Sequence, residues 1–491
     1  MPLGLGNLRH QEPGESVKLT PTLRGSNIQF ILQQRIFVLT LAFLFLSIVP
    51  VSAAEWKAGS SKVRITPDSP IWMAGYAARK QPSQGVSQDI FAKALVLEDE
   101  TGYVAVLVTM DVLGFTAEFI ARIAERLSKS TGLKRSQLLF NASHTHAGPV
   151  IGNTLRIAYD MSDAQWKDVI EYTRSLEDKV VTLVQDAMQE LQPVRLNYGN
   201  TEASFAINRR VQTSEGYVIG ANRSGPVDHR VPFLAVDNEQ GQLVALVFGY
   251  SCHCTTLRGD NYSIHGDYAG VAQAWLEKRY SGAVALFVTG TAGDANPYPR
   301  GTAKLAAEHG AELAKAVDRA LTGPMKPVSG RLTTAFDTVP VKFQAPPTKS
   351  EWQTRLEESN PYRRRHAEFF LNLLEKEGSI PDEYSYPIQL WSFGEELLLV
   401  GLAGEVVVDY GIRLRKEFPN RDLWVAGYSN DVFAYIPSAR ILGEGGYEAE
   451  DSMIYYGQPG PFEPSVEEII VDKVHRMSQK LTVAPGGDYE Q

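Results

Sequence analysis

Apolar runs typical of strands alternate along this chain with amphipathic helical segments, and this alternation limits the fold more than any other feature. One apolar run extends from Val104 to Asp111, and the next extends from Leu138 to His146. Between them lies a helical segment that Thr116 can cap and Gly132 can end. A strand, a helix and a strand in this order usually pair in parallel. The sequence therefore predicts an α/β fold with a mixed, largely parallel sheet flanked by helices.

The same pattern recurs in the rest of the chain. Further strands are predicted at Leu243–Cys254, Val284–Thr289, Leu397–Gly401 and Leu423–Tyr428, and helices at 303–321, from Glu405 to about Phe418, and at about 466–481. Polar residues follow several of these strands, and in open α/β sheets ligands bind at that edge. We therefore expect a site at the C-terminal strand ends. The segment 325–382 is less regular and is predicted to be a peripheral insertion, either a lid over the site or a solvated helical excursion.

The N-terminal region has the pattern of a signal peptide. Arg35 precedes an apolar run from Ile36 to Val49, and the small residues Val51-Ser52-Ala53-Ala54 follow it. The run is shorter than the roughly 20 residues of a membrane-spanning helix. We expect residues 1–54 to be an N-terminal extension plus signal peptide (about 35–54), and the protein to be secreted or periplasmic. Residues 55–491 are expected to form the folded domain.

Charge and cysteine content exclude some classes of protein. The formal net charge of −9 argues against nucleic acid as a partner, because phosphate binding requires a basic surface. The two cysteines, Cys252 and Cys254, flank His253. Strand alternation would place both thiols opposite His253, so we expect them to fill the core, and a Cys-His-Cys metal site is the alternative.

Two histidines lie at the end of a predicted strand, in the stretch Asn141–Pro149. Alternation along the strand would direct His144 and His146 to the same side, and the turn signal Gly148-Pro149 follows at once. Two adjacent imidazoles can bind a metal or transfer protons, whereas the alternative is a surface pair beside a turn. The candidate zinc ligands at the predicted strand ends are His144, His146, His253, Asp294 and Glu405.

Several short motifs resemble, in the same order, those of the N-terminal catalytic domain of the neutral ceramidases. The resemblance runs from about Lys57 to Pro464. It rests on the segments Gly59–Pro67, Met73–Tyr76, Asn141–Pro149, Asn208-Arg209, His253, Gly266–Tyr268, Ala292–Asp294, Gly404-Glu405 and Ser429-Asn430. Several motifs in one order are more specific than any single motif.

This resemblance implies a set of roles for individual residues. His144, His253, Glu405 and Tyr435 resemble the family's zinc ligands. His146 resembles a histidine that contacts substrate near the metal, Arg209 an arginine that holds the scissile amide, and Tyr447 a tyrosine that hydrogen-bonds the oxyanion. The implied protein is a secreted, zinc-dependent hydrolase of an N-acyl lipid or related amide that uses zinc-activated water, with transient contact to a membrane surface.

Each of these residues also has a structural interpretation. Glu405 could be a carboxylate at a helix N-terminus, Tyr435 and Tyr447 could be packing residues, Arg209 and Arg210 a surface pair, and Asp294 a turn residue. These alternatives stay open at the level of the sequence.

The chain departs from the family pattern in two places. Asn296 stands where the family has a serine, so an acyl-enzyme at this position is disfavoured. The family's C-terminal immunoglobulin-like domain is expected to be absent.

The competing hypothesis is a ceramidase-like protein that binds a metal or ligand and has lost catalysis. A serine hydrolase is disfavoured because no Gly-x-Ser-x-Gly motif occurs, and a phosphatase-like metallohydrolase would need more aspartates around the metal.

Overall fold

The computed structural model describes residues 56–483, together with positions 16, 18 and 19. The predicted signal peptide at about 35–54 lies outside the described residues. The strands are β1 (Trp56–Arg64), β2 (Gly85–Val86), β3 (Phe91–Asp99), β4 (Val104–Met110), β5 (Leu138–Ala142), β6 (Gln192–Glu202), β7 (Ala206–Thr213), β8 (Gly216–Asn222), β9 (Arg230–Asn238), β10 (Leu243–Tyr250), β11 (Ser263–Ile264), β12 (Val284–Thr289), β13 (Ala295–Pro297), β14 (Lys326–Val328), β15 (Leu332–Lys342), β16 (Glu383–Phe393), β17 (Leu397–Leu402), β18 (Glu405–Val406), β19 (Asp422–Ala426) and β20 (Tyr435–Ile436). The α-helices are α1 (Ala117–Thr131), α2 (Asp163–Gln189), α3 (Asp267–Arg279), α4 (Ala303–Leu321), α5 (Lys349–Arg355), α6 (Pro361–Glu377), α7 (Val408–Glu417), α8 (Ala439–Glu444), α9 (Met453–Tyr456) and α10 (Val466–Val483).

Two sheets make up the centre of the fold. The larger has the order β12-β10-β9-β6-β1-β3-β4-β5, with β14 beside β6, and the smaller has the order β15-β16-β17-β19. Within them, β4/β5, β10/β12 and β17/β19 pair in parallel, and each of these pairs is joined through a helix.

The predicted α/β class is confirmed, but the prediction of a largely parallel sheet is wrong. All the other pairs in both sheets are antiparallel, among them β1/β3, β3/β4, β6/β9, β9/β10 and β15/β16. The strand–helix–strand pattern finds the pairs β4/β5 and β17/β19, whereas the helix α3 that joins β10 to β12 was not predicted. It does not reveal the strands that close the sheets around them, which return through short connections such as residues 100–103 between β3 and β4.

The two sheets pack face to face between two layers of helices. Alternation along β3 shows this arrangement. Leu95 and Leu97 belong to a core shared with Trp391 and Trp424 of the smaller sheet, whereas Val96 belongs to the core under α1 and α2. The outer face of the smaller sheet is covered by α7 and α10, and α3 and α4 cover the β10/β12 side of the larger sheet. The result is a helix–sheet–sheet–helix sandwich.

Local signals place the first helix as predicted. The hydroxyl of Thr116 accepts a hydrogen bond from the backbone N–H of Phe119, and α1 begins at Ala117. It ends before Gly132, whose φ of 77° is in the left-handed region that favours glycine. The helix predicted at 303–321 is α4, with the same bounds.

The segment 325–382 is not simply the peripheral insertion that the sequence suggests. β14 extends the larger sheet beside β6, and β15 pairs with β16 along its whole length in the smaller sheet. Their apolar residues are therefore part of the sandwich. The helix-prone remainder forms α5 and α6, which pack on each other around Trp352, Ala367 and Phe370.

The part of the chain that the structure describes contains no helix with the length and apolar character needed to cross a membrane.

Candidate active site

The loops after the parallel strand pairs meet at one edge of the sandwich. A bridge joins Thr145, after β5, to Cys254, after β10, and another joins Asn141 of β5 to Ser429, after β19. The backbone N–H of Gly293, after β12, donates to the carbonyl of Val406 at 2.9 Å. Residues distant in sequence are therefore brought together where these strands end.

His144 and His146 approach each other through a local turn rather than through strand alternation. The strand predicted to reach His146 ends at Ala142, and His144 has a φ of 60°, in the left-handed region. Just before this turn the side chain of Asn141 joins the neighbouring strand ends, donating to the Gly427 carbonyl and accepting from the Thr289 N–H at 2.7 and 2.9 Å. The two Nε2 atoms nevertheless lie 3.1 Å apart.

Backbone carbonyls orient three imidazoles toward one point. The Nδ1 atoms of His144, His146 and His253 lie 2.6, 3.1 and 2.7 Å from the carbonyl oxygens of Leu113, Gly75 and Ala292. A carbonyl oxygen can only accept, so this network assigns the proton of each imidazole to Nδ1 and a lone pair to each Nε2.

The three Nε2 atoms form a donor set for a metal. Their potential ligand atoms all lie within 4.8 Å of one another. Burial lowers the pKa of His253 to about 4, and burial together with the adjacent imidazoles lowers the pKa of His146 well below its usual range. When His144 and His146 are both neutral and protonated on Nδ1, no proton lies between their facing Nε2 atoms. A cation between these two atoms would accept both lone pairs.

Glu405 completes this cluster. Its Oε2 lies 3.1 Å from His144 Nε2 and 2.9 Å from His253 Nε2. Tyr456 donates a hydrogen bond to Oε1, and Tyr428 donates to Oε2 at 3.4 Å. Burial opposes ionisation of Glu405, but interaction with His144 and His253 outweighs burial and holds the pKa of Glu405 well below its usual range, which requires positive charge at the facing nitrogens from a proton or a bound cation. A charged carboxylate therefore faces the imidazole lone pairs, which again fits a cation.

The interpretation of Glu405 as a helix-terminal carboxylate is wrong. Glu405 lies in β18, and the helix begins only at Val408. An acid that does bind this helix N-terminus is Asp294, whose Oδ1 accepts from the Val408 N–H at 2.9 Å and whose Oδ2 accepts from Asn208 Nδ2 at 2.9 Å. Burial raises the pKa of Asp294 to about 6. Asp294 thus orders the loop and lies outside the imidazole cluster.

Tyr435 contacts His253, and Tyr447 contacts Tyr435. Tyr435 pairs with Glu405 through β18 and β20, and its hydroxyl lies 3.2 Å from His253 Nε2. Burial raises the pKa of both tyrosines, so both hydroxyls keep their protons at neutral pH. The rings of the two tyrosines contact each other at a centroid distance of 5.4 Å.

Arg209 is buried at the cluster and is not a surface residue. Only 4% of Arg209 and 3% of Arg210 is exposed. Arg209 Nε donates to Glu448 Oε1 at 2.7 Å and Nη1 lies 3.0 Å from His253 Nε2, whereas its buried Nη2 has no hydrogen-bond partner among residues 56–483. Arg210 Nη1 donates to Glu448 Oε2 at 2.5 Å. One carboxylate therefore holds both guanidinium groups.

A cavity of about 300 Å³ opens onto these groups. Its lining includes His146, Arg209, Glu405, Tyr435, Tyr447, Tyr455, Tyr456, Asn296 and Arg300. The structure thus brings all seven predicted site residues to one place, since His144 and His253 contact the lining residues directly.

Three residues of the site have no counterpart in the sequence prediction. Tyr428 directly precedes the Ser429-Asn430 motif and ends a predicted strand, so a signal for it existed. Glu448 adjoins Tyr447, but no pattern indicates that two arginines share it. Tyr456 lies in the short helix α9 and carries no signal in the sequence.

The cysteines fill the core, as predicted. Cys252 and Cys254 are free, buried thiols in the cluster of apolar residues under α3 and α4. Burial raises the pKa of both thiols well above the usual value, so they stay protonated.

Comparison with known proteins assigns this chain to a family. Residues 56–318 match the family model described as neutral/alkaline non-lysosomal ceramidase, N-terminal. The chain is 27% identical over 256 residues to a neutral ceramidase of Pseudomonas aeruginosa, a match that covers 49% of this chain and 37% of that protein. It is 23% identical over 304 residues to neutral ceramidase A of Dictyostelium discoideum, covering 54% of this chain and 41% of that protein. The chain thus spans about two fifths of the length of these relatives.

Solved structures show the same fold. The crystal structure of the Pseudomonas aeruginosa neutral ceramidase superposes with a TM-score of 0.66 at 20% identity, covering 89% of this chain and 76% of that one. A structure described as ceramidase complexed with C2 gives a TM-score of 0.67 at 19% identity and covers 89% and 77% of the two chains. The family model matches more than half of the length of this chain, and the chain therefore belongs to the neutral/alkaline non-lysosomal ceramidase family.

Proposed function

We propose that this protein is a zinc-dependent hydrolase of an amide bond in an N-acyl lipid or a related compound. The observation that supports this most directly is the cluster of three imidazole Nε2 atoms and one carboxylate at the base of a cavity. Zinc prefers nitrogen and carboxylate ligands, and magnesium and calcium prefer oxygen. His144, His253, Glu405 and Tyr435 would hold the metal, and the adjacent Nε2 of His146 would stay free for proton transfer. Bound zinc would supply a Lewis acid that polarises the amide carbonyl and makes water a better nucleophile at neutral pH.

Other residues of the site supply the remaining functions of an amide hydrolase. The oxygen of an attacked amide becomes negative, and Arg209 Nη2 is a buried donor without a protein partner. Tyr447 lines the same cavity, and its raised pKa keeps its hydroxyl available as a donor. His146 is fixed through Nδ1 by the Gly75 carbonyl, so its Nε2 can accept a proton from water and deliver it to the leaving amine.

The second candidate is a ceramidase-like protein that binds a metal or ligand without catalysis. Asn296 favours this candidate, because its amide cannot act as a nucleophile in the place of the family serine. The Asn296 side chain lines the cavity, and its Oδ1 accepts from the Thr255 hydroxyl at 3.1 Å. A route through activated water needs no serine, which is why we favour hydrolysis.

Secretion and contact with a lipid surface are further parts of the proposal. Secretion rests on the signal-peptide pattern at about 35–54. Contact with a lipid surface is supported by the hairpin β7–β8, where Val218 is 49% exposed and Ile219 is 45% exposed while Ile219 also lines the cavity. Exposed apolar side chains beside a cavity mouth can insert into a lipid interface.

Metal analysis combined with a hydrolysis assay tests the proposal. We expect about one zinc per chain in the purified protein, loss of zinc in His253→Gln, and retention in His475→Gln. His475, on α10, is a matched control because it pairs with Glu417 of α7 and does not line the cavity. Fatty-acid release from N-acyl amides should stop with a chelator and return with zinc. Circular dichroism checks that both variants fold.

The outcomes separate the two candidates. Zinc binding without turnover of any amide would favour the non-catalytic protein. Equal hydrolysis by zinc-free and zinc-loaded protein, or equal zinc content in His253→Gln and the parent, would contradict the proposed metal site.

A further inference from the structure

We infer that the amide substrate carries an anionic group, a carboxylate or a phosphate, which Arg300 binds at one wall of the cavity. This inference rests on the proposed function and names the substrate class of the same site. It derives from the unequal chemistry of the cavity walls and from arginines that have no acidic partner.

The residues lining the cavity fall into an apolar group and a polar group. The apolar group includes Leu113, Leu155, Ala158 and Tyr455, and the polar group includes Thr255, Asn296 and Arg300. The polar residues lie on two loops that contact each other, since the Gly301 N–H donates to the Thr256 carbonyl at 2.7 Å. An acyl chain fits the apolar wall, which leaves the polar wall for the other half of the substrate.

Arg300 is a half-buried cation without a carboxylate to neutralise it. Among residues 56–483, Arg300 makes one long hydrogen bond, from Nη1 to the Thr255 carbonyl at 3.5 Å. No carboxylate in that range lies within ion-pair distance of Arg300. Burial lowers the pKa of Arg300, which reflects the cost of an uncompensated charge, although a guanidinium stays protonated in proteins. By contrast, Arg209 and Arg210 share the carboxylate of Glu448.

Arginines outnumber acids around Arg300, and of the two acids in this region the exposed Asp260 acts on Arg79. Charges of Arg300, Arg79 and Arg258 all act on the Tyr76 hydroxyl, so the three guanidinium groups gather around this tyrosine. Arg79 donates to three backbone carbonyls and to no carboxylate. The buried acid nearby, Asp267, is occupied by the backbone N–H groups of Leu257 and Tyr268 at 2.9 and 2.7 Å. The wall therefore offers unneutralised positive charge in a chain whose net charge is −9.

Asn296 adds a donor to the same wall. Its Oδ1 is occupied by the Thr255 hydroxyl, so its amide N–H groups are the part free to meet a ligand. An amide donor and a guanidinium on one wall match the acceptor oxygens of a carboxylate or phosphate. A neutral head group would leave the charge of Arg300 uncompensated. The residue that removes the family serine thus becomes part of an anion site.

A matched pair of substrates tests this inference. N-lauroylglycine carries a carboxylate, and N-lauroylglycinamide replaces it with a neutral carboxamide of similar size. Both are assayed by release of laurate, and N-lauroyl-phosphoethanolamine serves as the phosphate counterpart. We expect kcat/KM to be at least about tenfold higher for an anionic substrate than for the carboxamide. Whichever anionic substrate is preferred identifies the source of the charge.

Variants of arginine assign the preference to a residue. Arg300→Gln should lower the ratio of kcat/KM between anionic and neutral substrates by about tenfold to hundredfold, mainly through KM, since a charge-assisted hydrogen bond is lost. Arg300→Lys should keep part of the ratio. The control Arg223→Gln should keep all of it, because Arg223 is exposed and contacts the Tyr298 ring outside the cavity lining.

The failure of this inference can be told apart from the failure of the proposed function. Equal kcat/KM for N-lauroylglycine, N-lauroyl-phosphoethanolamine and the carboxamide would overturn the inference and leave the amidase intact. If no amide is hydrolysed, the proposed function fails, and calorimetric titration of the zinc-treated protein with the three compounds then decides. Weaker binding of an anionic compound to Arg300→Gln than to the parent would support the anion site, and equal or absent binding would overturn it.

Discussion

Substitution of Glu448 by glutamine should destabilise the protein strongly, because one buried carboxylate neutralises two buried arginines. Glu448 is 1% exposed, and it accepts from Arg209 at 2.7 Å and from Arg210 at 2.5 Å. Breaking a buried ion pair by removing one partner costs about 3–5 kcal/mol. A glutamine still accepts one hydrogen bond, so we expect Glu448→Gln to lower the free energy of unfolding by about 3 kcal/mol at pH 7.

The pH dependence of this loss follows from the pKa of Glu448. Burial opposes its ionisation, but Arg209 and Arg210 outweigh burial and hold the pKa below the usual value. A carboxyl group whose pKa is lower in the folded state stabilises that state above its unfolded pKa of about 4.5, and this contribution is lost as the pH falls through the folded value. The gap between parent and Glu448→Gln should therefore be largest near neutrality and shrink below about pH 4.5.

Glu444→Gln is the matched control for this experiment. Glu444 also accepts from Arg210, at 3.0 Å, but its side chain is 18% exposed, and Arg210 keeps Glu448 and the Gly445 carbonyl as acceptors. Its substitution should cost about 1 kcal/mol or less.

Chemical denaturation followed by circular dichroism measures both variants, and an amide hydrolysis assay should show a kcat for Glu448→Gln reduced about tenfold or more, since Arg209 loses its anchor. A Glu448→Gln protein as stable as Glu444→Gln at pH 7 would refute the assigned role of the shared carboxylate.

Two other perturbations give separate tests. Burial raises the pKa of Asp431 to about 7, so the contribution of this carboxyl group to wild-type stability should fall as the pH rises from about 4 to about 7. Asp431→Asn should therefore be more stable than the wild type near pH 7.5 by up to about 4 kcal/mol. A difference in free energy of unfolding between the two proteins that stays constant across this pH range would contradict this. Val218→Ser should reduce hydrolysis of an amide presented in lipid vesicles by a few-fold but leave hydrolysis of a short-chain soluble amide unchanged, and equal loss on both would argue against a lipid-facing hairpin.

The features that follow from neighbouring residues could be predicted from the sequence. The bounds of α1 depend on Thr116 and Gly132, which act within one turn of the helix. Two of the three parallel strand pairs, β4/β5 and β17/β19, were also predictable, because a helix was predicted between their strands, whereas α3 between β10 and β12 was not predicted. The antiparallel majority was not, since the choice of pairing partner depends on contacts between residues far apart in sequence.

Some residues of the site could likewise be predicted from the sequence, and others could not. Motif order indicated His144, His253, Glu405 and Tyr435, and the structure brings them together. The local reasons given for their placement were less accurate, because His144 turns through a left-handed backbone conformation and Glu405 lies in a short strand rather than a helix. Residues such as Glu448 and Tyr456 act through side chains packed from other elements, and no periodicity in the chain reports such contacts.

The placement of the cluster at the junction of the two sheets has a thermodynamic consequence. His144 and His253 follow strands of the larger sheet, whereas Glu405 follows a strand of the smaller one. A cation held by all three would fasten the sheets to each other, so ion affinity and closure of the sandwich are linked equilibria. At a free ion concentration of about 100 times Kd, this linkage adds about 2.7 kcal/mol to the intact sandwich. Any opening that parts the sheets would release the ion, and retention of the ion therefore reports that the sandwich is closed.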